Sequence, residues 1–144
     1  MPGTPETILA FDFGRRRIGV AVGQQVTGSA GPIGAIANRD TGPDWAGIDC
    51  LLDEWRPARL IVGMPIHRDG SPSDMTTAVE AFAAELCRYN LPVETVDERY
   101  SSVEAEARLR NQRAAGRRGR VSKEQIDAAS AVLIAERWLK KERQ

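Results

Sequence analysis

Apolar and polar residues are arranged along the chain in a pattern that predicts strands first and then strands alternating with helices. The strands are predicted over residues 7–13, 18–23, 31–37, 58–65 and 92–98. The first two are apolar runs joined by the short turn Gly14–Arg17, which is the pattern of a β-hairpin. The run 58–65 is apolar apart from Arg59, as is typical of a buried strand.

Apolar residues at helical spacing predict the first two of four helices after the third strand, and capping residues predict the last two. The helices are predicted over residues 43–55, 75–89, 103–112 and 123–142. Pro43 and Asp44 open the first of them. Ser122 and Gln125 form a capping box at the start of the last. The Gly- and Arg-rich residues 113–121 are predicted to be a loop or a disordered segment.

The order of these elements predicts a mixed sheet. Strands separated by helices pair in parallel, whereas the opening hairpin adds an antiparallel edge. The fold class is therefore α/β, with a mixed sheet between layers of helices. In such sheets the sites form at the carboxyl ends of the parallel strands. The length of 144 residues favours one domain over residues 1–144.

Composition adds little to the fold but excludes some classes of protein. The chain is 42% hydrophobic and 28% charged, as is typical of a soluble globular protein. Its apolar runs are too short to cross a bilayer, and the start MPGTPET lacks the features of a secretory signal. Cys50 and Cys87 have no metal-binding spacing, so we expect partly buried, reduced thiols in a cytoplasmic protein.

Charge is unevenly distributed along the chain. The net charge is zero, which by itself argues against binding to nucleic acid. However, seven basic residues and no acidic one lie between Arg108 and Lys123. A local basic patch of this kind can bind phosphates. The alternative is a solvated loop with no partner.

Three carboxylates stand where the predicted fold would gather them. Asp12 ends the first strand, Glu98 ends the last strand, and Asp127 lies in the first two turns of the last helix. Clustered carboxylates repel one another, and a divalent cation removes that penalty. Oxygen ligands favour Mg²⁺ or Mn²⁺. A pair of such ions supports the cleavage of phosphodiester bonds.

Each carboxylate also has a structural alternative. Asp12 could accept hydrogen bonds from turn amides, and Asp127 could be a charge favoured near a helix N-terminus. Glu98 could pair with its neighbour Arg99. The apolar residues around Asp127 predict that this part of the helix is packed, and a buried carboxylate needs a partner.

Four motifs in order resemble those of one family. They are FDFGRRRIGVAVG, IVGMPIHRDGS, VDERYSSVEA and IDAASAVLI. Together they cover nearly the whole chain, which resembles the YqgF/RuvX family of RNase H-like proteins, described as Holliday junction resolvases or pre-ribosomal RNA nucleases. The resemblance implies an RNase H-like domain whose five-stranded sheet has three antiparallel strands followed by two parallel ones.

The resemblance also implies an activity and its ligands. It implies a two-metal-ion hydrolase acting on phosphodiester bonds, in which Asp12 bridges two Mg²⁺ or Mn²⁺ ions while Glu98 and Asp127 each hold one. Its products would carry a 5′-phosphate and a 3′-hydroxyl. The implied partner is pre-16S ribosomal RNA or the ribosomal particle, with cleavage at the RNA 5′ end, or else branched DNA. The protein would be a cytoplasmic monomer or homodimer without a membrane partner.

Basic residues would hold the phosphate backbone of such a substrate without reading its bases. The residues assigned to this role are Arg16, Arg17, Arg99, Arg117, Arg118, Arg120 and Lys123. The chain departs from the family pattern at His67, where a neutral residue is common, and at Ala78 and Glu80, where basic residues are common. These departures put in doubt substrate contacts from the second helix. His67 is either a substrate contact or a solvated loop residue.

Two other functions fit parts of the sequence. The first motif also resembles the phosphate loop of the actin and sugar-kinase superfamily, but that group uses two such domains and the chain has no second copy. A non-catalytic module bound to ribosomes or to the transcription machinery would keep the same acids.

Overall fold

Residues 6–65, 75–97 and 122–142 are the part of the chain that the computed structural model describes. Six strands, three helices and one 3₁₀ helix lie in these ranges. They are β1 Thr7–Phe13, β2 Arg17–Gln24, β3 Ser29–Arg39, β4 Gly42–Pro43, α1 Trp45–Trp55, β5 Arg59–Met64, α2 Thr76–Leu86, the 3₁₀ helix Cys87–Tyr89, β6 Val93–Asp97 and α3 Lys123–Glu142.

The strands form one mixed sheet in the order β4-β3-β2-β1-β5-β6. β2 pairs antiparallel with both β1 and β3, whereas β5 pairs parallel with both β1 and β6. The predicted arrangement of three antiparallel strands followed by two parallel strands is therefore confirmed. The parallel pairs follow from the helical crossovers, since a parallel neighbour cannot be reached through a tight turn.

One strand was absent from the prediction. β4 pairs Gly42 and Pro43 with Arg39 and Asn38 of β3, which raises the number of strands from five to six. Two residues are too few to show a period, so the sequence carries no strand signal there. Pro43 belongs to this strand, and the first helix begins after its N-cap Asp44, whose side chain accepts a hydrogen bond from the amide of Gly47 at 3.2 Å.

The remaining helix predictions agree with the structure where it describes the chain. The predicted helix 75–89 is α2 followed by the 3₁₀ helix. The capping box of α3 is present: the amide of Gln125 donates to Ser122 Oγ at 3.1 Å, and the amide of Ser122 donates to Gln125 Oε1 at 2.8 Å. The predicted helix 103–112 and the predicted loop 113–121 lie outside the described residues.

The alternation along β1 divides the core between the two faces of the sheet. Leu9 and Phe11 face the layer of α1 and α2, where they pack with Ile48 and Phe82. Ile8, Ala10 and Asp12 occupy the alternate positions, and the first two of these pack with Trp138 and other residues of α3. Helices therefore cover both faces, which confirms the three-layer prediction.

The environment predicted for the two thiols was wrong. Cys50 and Cys87 are both free and exposed rather than partly buried. Cys50 follows the buried Ile48 by two positions, which turns it to the outer side of α1. Within the described ranges no helix is both long enough and apolar enough to cross a membrane.

Candidate active site

Asp12 lies near the carboxyl end of β1, on the face that α3 covers. It continues the series Ile8 and Ala10, which are buried against α3, and it is itself partly exposed. Asp12 is paired across the antiparallel ladder with Gly19 of β2. A residue of α3 that lies over Gly19 is therefore also a neighbour of Asp12.

The backbone of α3 lies directly over Gly19. A Cβ atom added to Gly19 would stand 2.0 Å from the carbonyl oxygen of Asp127 and 2.4 Å from its carbonyl carbon. Any other residue at position 19 would push α3 away from the sheet. Since Gly19 is the ladder partner of Asp12, this close approach brings Asp12 and Asp127 to neighbouring positions at the same end of the sheet.

An arginine from the same strand bonds to the Asp127 carboxylate. Arg17 Nε donates to Asp127 Oδ2 at 2.7 Å, and the two side chains are 32% and 24% exposed. Arg17 is the first residue of β2 and lies two positions from Gly19, on the same face of the strand. The residue predicted from the sequence as a phosphate contact is thus held beside one of the predicted metal ligands.

The turn between β1 and β2 is fixed by β3. The side-chain amide of Asn38 donates to the carbonyl oxygen of Gly14 at 2.6 Å, and the Asn38 backbone amide donates to the carbonyl oxygen of Arg16 at 2.8 Å. Arg15 and Arg16 are exposed on this turn, at the end of the sheet that carries Asp12. The sequence offered no signal for Asn38, because its partners come from a turn that is distant in sequence.

The other predicted site residues are divided between the described and undescribed parts of the chain. Lys123 is the exposed first residue of α3, one helical turn before Asp127. β6 ends at Asp97, and Val96 packs on the α3 side of the sheet. The predictions for Glu98, Arg99, Arg117, Arg118, Arg120 and His67 lie outside the described residues.

The parallel strands end at one edge of the sheet, as expected for an α/β site. Phe11 of β1 is level with Val62 of β5, and Val62 is level with Thr95 of β6. Asp12 follows Phe11 at this edge. Glu98, the third predicted ligand, is the next residue in the sequence after β6.

The chemistry of the two described carboxylates suits a hard divalent cation. Both supply oxygen donors, which Mg²⁺ and Mn²⁺ prefer. Arg17 forms an ion pair with Asp127. Because Gly19 has no side chain, the backbone of Asp127 can approach β2 beside Asp12. No group of three or more His, Cys, Asp or Glu side chains that could hold a metal ion occurs within residues 6–65, 75–97 and 122–142.

The model of one protein family, described as RuvX, Holliday junction resolvase, matches residues 6–141 of the chain. The chain belongs to the RuvX family. The resemblance inferred from the four motifs is therefore confirmed over nearly the whole sequence.

Relatives within this family share close to half of their residues with the chain. A protein of Burkholderia lata, named as a candidate pre-16S rRNA nuclease, is 48% identical over 92% of this chain and 88% of its own length. A protein of Xanthomonas campestris pv. campestris with the same name is 46% identical over 92% of this chain and 86% of its own length.

Solved structures of Holliday junction resolvases share the fold. RuvC of Thermus thermophilus, in complex with a Holliday junction substrate, has a TM-score of 0.58 at 13% identity and 95% coverage of both chains. The yeast mitochondrial Holliday junction resolvase has a TM-score of 0.53 at 12% identity, covering 94% of this chain and 78% of its own. At these identities the likeness concerns the fold, which is the RNase H-like fold expected from the motifs.

Proposed function

We propose that the protein is a metal-dependent nuclease that hydrolyses phosphodiester bonds in structured nucleic acid, and that its substrate is the 5′ end of the pre-16S rRNA precursor. The observation that carries the proposal is the approach of α3 to β2 at Gly19, which brings Asp127 beside Asp12. The names of the bacterial relatives support the choice of substrate.

In this proposal three carboxylates form the catalytic centre. Asp12, Glu98 and Asp127 would hold Mg²⁺ or Mn²⁺. Bound there, the ions would activate water and stabilise charge on the leaving oxygen. The protein contributes rigid positions: Asp12 is held in a strand, and Asp127 lies in the second turn of α3, next to the buried Ala128.

Basic side chains around the centre would hold the substrate backbone. Arg16 is exposed on the turn fixed by Asn38, and Lys123 is exposed at the start of α3. We assign the same role to Arg17, Arg99, Arg117, Arg118 and Arg120. Contacts of this kind set the affinity and its salt dependence but do not read bases.

We further propose that residues 1–144 form a single nuclease domain acting in the cytoplasm, as a monomer or a homodimer. The family model supports one domain, since a single match spans residues 6–141. The compartment follows from the proposed substrate, because bacteria make their ribosomal RNA precursors in the cytoplasm.

Resolution of branched DNA is the second candidate function. It is favoured by the description of the matching family as a Holliday junction resolvase. Symmetric cleavage of a four-way junction requires a dimer with two equivalent sites. The oligomeric state in solution therefore bears directly on this candidate.

The test compares two labelled substrates, a pre-16S rRNA 5′-end fragment and a four-way DNA junction, with Mg²⁺ or Mn²⁺. Asp12→Asn is assayed beside the wild type, and Asp53→Asn is the matched control because Asp53 is 86% exposed on α1. We expect the wild type and the control to cleave the RNA and the Asp12→Asn variant to leave it intact. Cleavage of the junction alone would select the second candidate.

Binding without cleavage by both the wild type and the Asp12→Asn variant would contradict the nuclease proposal. It would support the non-catalytic module instead. Hydrolysis of ATP by the wild type, with neither substrate cleaved, would support the nucleotide-binding alternative.

A further inference from the structure

We propose that Arg17 is a positioning residue for Asp127, and that it fixes the carboxylate so that one oxygen is presented to the metal. This inference deepens the proposed function and rests on it, because it assumes that Asp127 is a metal ligand. It gives Arg17 a second task, the orientation of Asp127, in addition to the phosphate contact that Arg17 shares with its exposed neighbour Arg16.

β2 contacts Asp127 through two residues of the same face. Gly19 admits the backbone of Asp127, and Arg17 bonds to its carboxylate. The contact with Gly19 fixes the position of the Asp127 backbone, and the ion pair with Arg17 fixes the position of the Asp127 carboxylate. One strand thus determines both the height of Asp127 above the sheet and the orientation of its carboxylate.

The ion pair divides the two oxygens of Asp127 between different tasks. Oδ2 accepts from Arg17 Nε at 2.7 Å. Within the described part of the chain, Oδ1 has no hydrogen-bond donor. A carboxylate rotates easily about its last bond unless one oxygen is held. Hydrogen bonds that orient metal-binding side chains in this way typically change metal affinity by about 10- to 100-fold.

The burial of the pair strengthens the interaction. The Arg17 and Asp127 side chains are 32% and 24% exposed, so they are better shielded than an ion pair on an open surface. By contrast, the exposed Asp53–Arg56 pair on α1 has side chains that are 86% and 84% exposed and a separation of 4.0 Å. The Arg17–Asp127 pair is therefore shorter and better shielded from solvent than this surface pair on α1.

Arg16 provides the matched control. It precedes Arg17 and carries the same charge, but it is exposed on the turn. A residue that only contacts the phosphates of the substrate should not affect the binding of a cation to the free protein. Replacement by lysine keeps the charge at either position but removes the Nε donor, so it separates positioning from electrostatics.

The experiment measures Mn²⁺ binding to the folded, nucleic-acid-free protein by electron paramagnetic resonance of the free ion. We expect Arg17→Lys to weaken Mn²⁺ binding about tenfold, the lower end of the range for such orienting residues. Arg16→Lys should bind Mn²⁺ as the wild type does. Thermal melts of both variants establish that the measurement is made on folded protein. Unchanged or tighter Mn²⁺ binding by Arg17→Lys would overturn the positioning role.

Asp12→Asn and Asp127→Asn distinguish this failure from failure of the proposed function. If both variants lose Mn²⁺ binding while Arg17→Lys retains it, the metal site stands and only the role of Arg17 is wrong. If the wild type binds no Mn²⁺, or if neither carboxylate variant changes the binding, both proposals fail.

Discussion

An arginine of the sheet bonds to carboxylates near each end of α3, and the two ends differ in how completely the carboxylate oxygens are bonded. At the far end Arg59 bonds to Glu6 through Nε at 3.0 Å and Nη2 at 3.3 Å, and it also bonds to Glu94 Oε2. The second oxygen of Glu94 accepts from Trp138 Nε1 at 3.3 Å. All four carboxylate oxygens at this end therefore have donors.

The end that carries Asp127 is less saturated. Arg17 bonds to Oδ2, and among the described residues Oδ1 of Asp127 has no donor. Asp12 brings a second carboxylate to the same place. The far end thus joins Glu6, which precedes β1, to β5, β6 and α3 by satisfied polar groups, whereas the near end keeps a carboxylate oxygen available for a ligand.

The charge on Arg59 is secured by its partners. Hydrogen bonds to Glu6 and then to Glu94 raise the pKa of Arg59 above its already high ordinary value, outweighing the opposing effect of desolvation. A raised pKa means that this contribution to folding is fully present below the pKa of an unfolded arginine and is lost only above it. Arg59 therefore remains charged at every pH used for enzyme assays.

The largest expected effect is the loss of cleavage on changing a carboxylate of the near end. Asp127→Asn removes charge from the proposed metal site, and metal ions contribute several kcal/mol to such reactions, so we expect cleavage to fall about 100-fold or more. Glu94→Gln makes the same chemical change at the far end. The measurement is the rate of RNA cleavage by the two variants. Equal losses of rate would contradict the claim that only the near end contributes to catalysis.

Gly19→Ala should damage both the fold and the site. The added Cβ meets backbone atoms of Asp127, which cannot swing aside as a side chain can, so we expect a cost of about 1–3 kcal/mol and weaker Mn²⁺ binding. At Gly23 the three atoms nearest to the added Cβ are side-chain atoms of Ile8, at 2.9 and 3.0 Å, and of Leu139, at 3.3 Å. At Gly31 it would meet nothing within 4 Å.

Urea denaturation and Mn²⁺ titration of the three alanine variants test this steric explanation. The loss of stability should be greatest for Gly19→Ala, smaller for Gly23→Ala and absent for Gly31→Ala. Weakened Mn²⁺ binding should be confined to Gly19→Ala. Normal Mn²⁺ binding by Gly19→Ala would show that the approach of α3 at this point does not define the site.

Arg59→Ala should destabilise the protein without changing Mn²⁺ binding. It leaves Glu6 and Glu94 unpaired at positions where their side chains are 28% and 32% exposed, so we expect a loss of about 1–2 kcal/mol, between the values for surface and buried pairs. Calorimetry gives the change in Tm, and Mn²⁺ titration gives the metal affinity. A fall in metal affinity of the folded variant would mean that the two ends are coupled through α3.

Glu6→Gln should have the smallest effect of the series. The amide keeps the shape of the side chain, and Glu94 still neutralises Arg59, so we expect a loss of about 0.2–1 kcal/mol that shrinks at high salt. Urea denaturation at low and high ionic strength provides the measurement. A loss of stability as large as that of Arg59→Ala would show that the Arg59–Glu6 pair accounts for the whole contribution of Arg59, with none from Glu94.

Local signals were enough to predict most elements and two of the proposed ligands. The hairpin, the capping box at Ser122 and the position of Asp12 at a strand end all depend on residues close together in sequence. Asp127 stood out because a carboxylate lay among apolar helical residues. No local pattern predicted the two-residue strand β4 or the exposure of Cys50.

The contacts that organise the site were beyond the reach of sequence patterns. Arg17 and Asp127 are 110 positions apart, and the need for glycine at position 19 arises only when α3 crosses β2. The sequence showed that Arg17 is a positive charge in a turn, but it did not show that Asp127 is its partner. A basic side chain in a turn is equally compatible with a bound phosphate and with an internal carboxylate.

The central claim is that the end of the sheet carrying Asp12 and Asp127 binds a divalent cation. Anomalous diffraction from crystals of the wild-type protein soaked in Mn²⁺ tests it most directly. We predict a peak with carboxylate oxygens of both Asp12 and Asp127 at about 2.1 Å, the distance typical of small hard cations. A peak only at other carboxylates, or no peak at saturating Mn²⁺, would contradict the account.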